Sequence, residues 1–422
     1  MRSTPTYQAG LFRHSLLLLI ATQVGNVATM VFQVVMMRAL PVIEYGILAA
    51  MLSLVLIAGT PMEALRTAVA HQAALLARAD RLGGVKALLL LWARRLAAFG
   101  LCLVLVGLLL SVKVVEWLQL PSVRPFLLTL VIMAGSMFMP LFAGVLQGTQ
   151  RFRWMAIHGQ IWGVTRVILA IFLLWFLGRT AMSGLWAQSI AVVASVGVGL
   201  IALRSLLKIP AKPGVDAVRD STYFFMSLAV LSGYAVLMNA DVTLVKRFFD
   251  PEAAGTFARA ATIGRSIVFL PLPVAIAMFP KVVSLGVATA ADRQILKRAI
   301  LFTAVLIGAA GIVCSLAAGL IWRIFTGEVA DAETLLLVRW IIWALAPLGL
   351  TFLLVNFELA QRRFRTSSSL ILLAALYIVG VSIWHDSFAM VLTVLSVISV
   401  SSLLVMLTDV VRVMRRNQGR GE

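Results

Sequence analysis

The stretch "GTFARAATIGRSIVFLPLPVAIAMFP", Gly255 to Pro280, decides how this chain is read. It is long enough to cross the ~30 Å hydrocarbon core of a bilayer, which takes about 20 helical residues, yet it carries Arg259 and Arg265. A charge at mid-membrane costs about 2.5–3.5 kcal/mol on insertion scales, so it faces a partner or a wet cavity. At 1.5 Å per residue Arg265 sits about 15 Å along the helix from Gly255, near the middle. Arg259 is close to the start, where its side chain reaches the outer surface or an ion-pair partner such as Asp241. Pro271 and Pro273 then interrupt the hydrogen-bond ladder and predict a kink.

The rest of the sequence is as apolar as this stretch. Of 422 residues 61% are hydrophobic and only 13% charged, with a mean hydropathy of +1.01. Twelve apolar runs follow one another, from Leu11–Met37 to Phe388–Leu407, including Tyr45–Leu65, Ala254–Phe279 and Ser367–Trp384. The expected fold is therefore all-α, a polytopic membrane protein of about twelve transmembrane helices with no soluble domain. The first run exceeds the 7–15-residue core of a signal peptide and reads as a span.

The formal net charge of +19 follows topology rather than a nucleic-acid partner. With the N-terminus inside, 25 of the 36 Lys and Arg fall on the cytoplasmic side and 7 outside, while Arg166, Arg259, Arg265 and Arg339 lie within spans. That bias predicts both termini in the cytoplasm. Cys102 and Cys314 lie inside apolar runs and are expected to be packing residues.

The two halves repeat. "ALPVIEYGILAA" after span one resembles "FDPEAAGTFARA" after span seven, setting Pro41 against Pro251 at an offset of 210, and Pro61 falls on Pro271 at the same offset. "QRFRW" from Gln150 resembles "QRRFRT" from Gln361. Thr22, Asn26, Thr29 and Gln33 share one face of span one, and Ser232, Asn239 and Thr243 occupy matching positions in span seven. These stripes serve interhelical hydrogen bonding or line a wet cavity. Six spans per half make the repeats parallel, with lobes 1–210 and 211–422 around a central cavity, an architecture suited to alternating access.

Beyond this pattern, the chain resembles the multidrug/oligosaccharidyl-lipid/polysaccharide exporter superfamily, specifically its polysaccharide flippase branch. The resemblance rests on "LPVIEYG", "NADVTLVKRFF", "EAAGTFARAATI", "AIAMFPKVVS" and "LQGTQRFRW", and extends over nearly the whole chain. It implies a two-lobed flippase of a bacterial cytoplasmic membrane that moves a polyprenyl-diphosphate-linked oligosaccharide for polysaccharide biosynthesis. The implied partners are that lipid-linked glycan, membrane lipid, and glycosyltransferases and a polymerase of the same pathway; the chain is expected to act as a monomer, with no cofactor.

Depth sorts the candidate residues. Arg166 is central in span five, on a face shared with His158 and Trp162, so each lobe has one deep cation, Arg166 and Arg265. With Arg259, Asn26, Gln33 and Asn239 they form the expected substrate-binding set. The planar donor fork of arginine suits phosphate oxygens. Asp241 and Glu63 are the acids at comparable depth. Asp241 has Lys246 or Arg259 as a partner, whereas Glu63 pairs along its helix with Arg66. Proton or sodium coupling through either acid, and gating by Arg66, Pro61 and Pro271, complete the expectation.

Two other readings compete. A drug or cation antiporter of the same superfamily would place an acid in span one, which has none. A membrane glycosyltransferase would cluster carboxylates in a loop, whereas Glu44, Glu116, Glu328, Asp331 and Glu333 are scattered. No nucleotide-binding G-x-x-x-x-G-K-[ST] motif is present, so direct ATP use is not expected.

Overall fold

The computed structural model describes residues 5–211, 221–268, 290–361, 364 and 366–416, and every regular element among them is a helix. Ten segments of the described residues are long and apolar enough to cross a membrane. The other two expected spans explain the difference from twelve. Of Ala254–Phe279 only the part up to Val268 is described, and it carries the two arginines. Ser367–Trp384 contains an apolar helix of 15 residues, Ser369–Ile383, about 22 Å long at 1.5 Å per residue.

The chain divides into two compact units, Met1–Phe224 and Phe225–Glu422. The sequence pattern put the lobe boundary at 210/211, and the division falls instead just inside the helix that follows.

The first unit contains α1 (Pro5–Ala39), α2 (Val42–Gly59), α3 (Glu63–Arg78), α4 (Leu82–Trp117), α5 (Arg124–Ser136), α6 (Phe138–Gly148), α7 (Phe152–Phe176) and α8 (Ala181–Leu207). Prolines set its breaks. Buried Pro61 lies in a single 3-10 turn, Thr60–Met62, that joins α2 to α3, so the expected interruption is a tight local one. Pro140 cannot donate to the Ser136 carbonyl four residues back, and α5 gives way to α6 at Met137. The cations from Arg66 to Arg95, counted on the cytoplasmic side, lie on α3, on α4 and in the turn between them at Ala79–Arg81, where Asp80 takes a left-handed φ of 54°.

Glycines bring the helices together. A Cβ at Gly148 would lie 2.6 Å from the Ala70 carbonyl oxygen, and one at Gly144 2.7 Å from that of Arg66, so α3 and α6 touch backbone to backbone. Charged side chains close the helix ends: Lys86 donates to the carbonyls of Leu207 and Ile209, each at 2.7 Å, and Arg151 to that of Ala202 at 2.9 Å. At the opposite end of α8, Glu44 accepts from the Ala181 N–H at 2.6 Å, which gives the acid of "LPVIEYG" a capping role.

The second unit contains α9 (Ser221–Phe248), α10 (Pro251–Val268), α11 (Ala290–Leu316), α12 (Ala318–Thr326), α13 (Ala332–Ala360), α14 (Ser369–Ile383) and α15 (Phe388–Arg416). α13 packs against both α10 and α15. Tyr234 of α9 donates to the Leu348 carbonyl beside Pro347 of α13, at 3.2 Å. Cys102 is exposed and Cys314 half-buried, so neither is the core packing residue the apolar runs suggested.

Gly148→Ala is expected to destabilise by about 1–3 kcal/mol, because the methyl group meets backbone that cannot yield. Gly197→Ala, where nothing lies within 4 Å, should be neutral or stabilising. Equilibrium unfolding in mixed micelles measures both.

Candidate functional site: buried arginines in each unit

In the first unit, α7 carries Arg166 inward, where its side chain is buried. The guanidinium is sandwiched between Phe32 of α1, 4.2 Å from the ring centroid, and Trp162 one turn earlier on α7, at 4.1 Å. Such stacking stabilises a cation without supplying a counter-charge. One terminal nitrogen, Nη1, donates to Gln188 Oε1 of α8 at 3.1 Å. Nε and Nη2 are buried and have no hydrogen-bond partner among the described residues. Those two nitrogens form the edge of the guanidinium whose parallel N–H groups grip a carboxylate or phosphate bidentately. Arg166 is thus a held cation with its recognition edge open.

His158, on the same face, has Nδ1 3.0 Å from the Ser195 carbonyl and Nε2 3.2 Å from that of Met139, tying α7 to α8 and α6. Its role is structural. Of the polar stripe on α1, Asn26 is exposed and donates to Gln23 at 3.2 Å, while Gln33 accepts from Tyr45 at 3.1 Å.

The second unit treats its cations differently. Arg265 of α10 forms an ion pair with Asp241 of α9 and donates through Nε to the Met238 carbonyl at 2.8 Å, so the Nε/Nη2 edge that is open in Arg166 is taken here. Asp241 is fully buried, and its Oδ2 has no hydrogen-bond partner among the described residues. Tyr377 of α14 is buried within electrostatic reach of both charges, and its hydroxyl is likewise unsatisfied. The partners expected for Asp241 were Lys246 or Arg259. Arg265 takes that place because it lies deeper on α10, level with the acid.

Arg259 does not reach the surface by itself. Its side chain is 2% exposed and pairs at 2.9 Å with Glu328, which follows α12 and is 57% exposed, so the acid comes in to meet the buried cation. Asn239 is buried and donates to the Ala235 carbonyl of its own helix at 3.0 Å. Glu63 and Arg66 form the expected local pair at 2.7 Å, half-exposed on α3, far from the burial of Asp241. Pro271 lies outside the described residues.

Sequence reasoning missed Gln188, Phe32, Tyr377 and Glu328 as neighbours, and also Glu358, a buried carboxylate that accepts from the Ser367 N–H at 3.1 Å. Gln188 and Glu358 were visible as polar residues inside apolar runs. The others carry no local signal, because aromatic rings and loop acids look alike wherever they point.

A model of the family described as "polysaccharide biosynthesis protein" matches residues 11–286. The chain belongs to that family. It also folds like a solved structure titled lipid II flippase MurJ in an inward closed conformation, with a TM-score of 0.69 at 14% identity over 96% of this chain and 91% of that one. An inward-facing multidrug resistance MATE family transporter of the MOP superfamily gives 0.70 at 12% identity over 94% and 99%. A eukaryotic MATE transporter gives 0.61 at 12% over 97% and 99%. No curated protein matches the chain. The protein is thus a multi-pass membrane protein of the polysaccharide biosynthesis family, with the fold of these flippase and transporter structures.

Removing one partner of a buried pair leaves the other charge uncompensated. Arg265→Ala alone is therefore expected to cost about 3–5 kcal/mol. Adding Asp241→Asn should restore part of that, giving a coupling of about 1–3 kcal/mol in a double-mutant cycle read by equilibrium unfolding. Glu63→Gln, at an exposed pair, should stay within about 0.5 kcal/mol.

Proposed function

We propose that this chain is a flippase of the bacterial cytoplasmic membrane that carries a polyprenyl-diphosphate-linked oligosaccharide to the outer leaflet by alternating access, with both termini in the cytoplasm. The observation that carries this reading is the open edge of Arg166: a buried guanidinium held by two aromatic rings, without a carboxylate partner among the described residues. A buried cation so arranged selects an anion. The family's link to polysaccharide biosynthesis and the fold shared with a lipid II flippase point to an anionic lipid headgroup as that ligand.

In this reading Arg166 takes one phosphate in the first unit. Arg265 of the second unit is reserved by Asp241 until the acid is protonated or a phosphate displaces it. That competition couples substrate to protons without any cofactor, and a guanidinium beside Asp241 disfavours sodium there. Glu63, exposed and locally paired, has no part in it. Glycosyltransferases and a polymerase of the same pathway supply and consume the cargo, and the chain works as a monomer.

A MATE-like cation antiporter is the second reading, favoured by the fold likeness and by the buried Asp241. It requires Asp241 to face a cationic substrate, whereas Arg265 already occupies it.

Proteoliposomes loaded with a fluorescent polyprenyl-diphosphate glycan test the choice. Arg166→Gln should slow transfer between leaflets at least tenfold with unfolding unchanged, and Arg166→Lys should also be slow, since a point charge lacks the fork. Asp241→Asn should abolish stimulation by an imposed pH gradient. Wild-type transfer by Arg166→Gln would overturn the reading.

A further inference from the structure

We propose that Arg94 and Arg95 of α4 form a headgroup site for an anionic phospholipid of the phosphatidylglycerol class, in the leaflet at that end of the helix. The inference does not depend on the flippase reading.

α4 shows which of its faces meets the membrane. Phe99, Leu101, Leu105, Leu109 and Val112 are all more than half exposed, Leu109 by 83%. In a chain that crosses a bilayer, acyl chains cover such a face. Trp117, 42% exposed, ends the helix at one interface, where tryptophan is favoured, and Lys113 one turn earlier is long enough to reach the same boundary. Arg94 and Arg95 are exposed and continue the face toward the other end. Ala98, Leu101 and Leu105 follow Arg94 at steps of four, three and four, and Phe99 and Cys102 follow Arg95 at steps of four and three. Arg95 precedes Trp117 by 22 residues, about 33 Å at 1.5 Å per residue, which matches the ~30 Å hydrocarbon core. Both guanidiniums therefore stand in the opposite headgroup layer, on the side that faces lipid.

The chemistry of the spot is all donor. Neither arginine has a hydrogen-bond or ion-pair partner among the described residues. Arg95 lies over the ring of buried Trp92, 5.3 Å from its centroid, a contact that steadies the cation and leaves its N–H groups free. The Trp92 Nε1–H is buried and also without a partner among the described residues. Across the hairpin, Arg66 of α3 is as far from the Ala79–Arg81 turn as Arg94, and the acid beside it, Glu63, is engaged by Arg66 itself at 2.7 Å. Two open guanidinium forks with no acid to neutralise them favour a phosphate, and their lipid-facing placement makes it the phosphate of a membrane lipid. A zwitterionic headgroup brings its own ammonium, which the arginines repel, so the anionic headgroup is preferred.

Cys102, exposed two turns deeper on the Arg95 face, places a reporter beside the acyl chains of a lipid held there. The full chain with Cys314→Ser is labelled at Cys102 with bimane and reconstituted in phosphatidylcholine containing small fractions of acyl-brominated phosphatidylglycerol or phosphatidylcholine. Brominated phosphatidylglycerol should quench half-maximally at a fraction at least fivefold lower than brominated phosphatidylcholine, and high salt should narrow the difference. Arg94→Gln with Arg95→Gln should abolish the preference while brominated phosphatidylcholine quenches as before, which shows the face intact. Arg78→Gln with Arg81→Gln removes the same charge at the turn and should leave the preference in place. Equal quenching by the two lipids in the parent, a preference that survives loss of Arg94 and Arg95, or one lost equally at the turn, would overturn the proposal. So would quenching by neither lipid, which assigns the face to a second copy of the chain. Displacement by polyprenyl phosphate at lower fractions than by unlabelled phosphatidylglycerol would overturn it too, giving the site to a different lipid.

Discussion

A guanidinium placed in a segment that must cross hydrocarbon needs something to hold it, and the second unit is organised around how Arg265 is held. Asp241 supplies the opposite charge from the adjacent helix, and the Met238 carbonyl takes the remaining donor edge. The pair draws α9 against α10, and Tyr377 of α14 is buried within electrostatic reach of it. Neither charge is tolerable there alone, so three helices share a constraint that their apolar surfaces by themselves would not impose.

The first unit solves the same problem by another route. Arg166 has no counter-charge among the described residues; Phe32 and Trp162 cover its two faces, and Gln188 accepts from one nitrogen. Stacking stabilises the cation but leaves its unmet hydrogen bonds pointing along one edge, which is a binding preference built in by incompleteness. The two deep arginines are therefore not equivalent. One has its Nε/Nη2 edge filled by the protein, and the other leaves that edge without a partner among the described residues. Arg259 is a third case, a buried cation neutralised from a loop by Glu328, which makes it part of the scaffold between α10 and the end of α12.

Much of this was legible beforehand. The length and hydropathy of the runs are enough to specify membrane helices, because backbone groups in lipid have no other partners than their own helix. Depth along a helix follows from counting residues, so Arg166 and Arg265 stood out. Pro61 marked a real interruption, and Glu63 met Arg66 because residues three apart share a face. The end of the apolar run Tyr45–Leu65 did not mark the end of helix, since cations mark a side of the membrane without breaking a helix, and those from Arg66 to Arg78 lie on α3.

The sequence by itself determined the all-helical membrane architecture and the family, since each depends on local periodicity and residue pattern. Tertiary structure alone decided the pairing: that Asp241 meets Arg265 and not Arg259, that Glu328 reaches Arg259, and that the edge of Arg166 stays open between two rings. Partners more than a helix apart are selected by the rotation and register of packed helices. Those are set by small-residue contacts such as Gly233 on Leu370 and Gly148 on Ala70, which leave no periodic trace in either strand of the pairing.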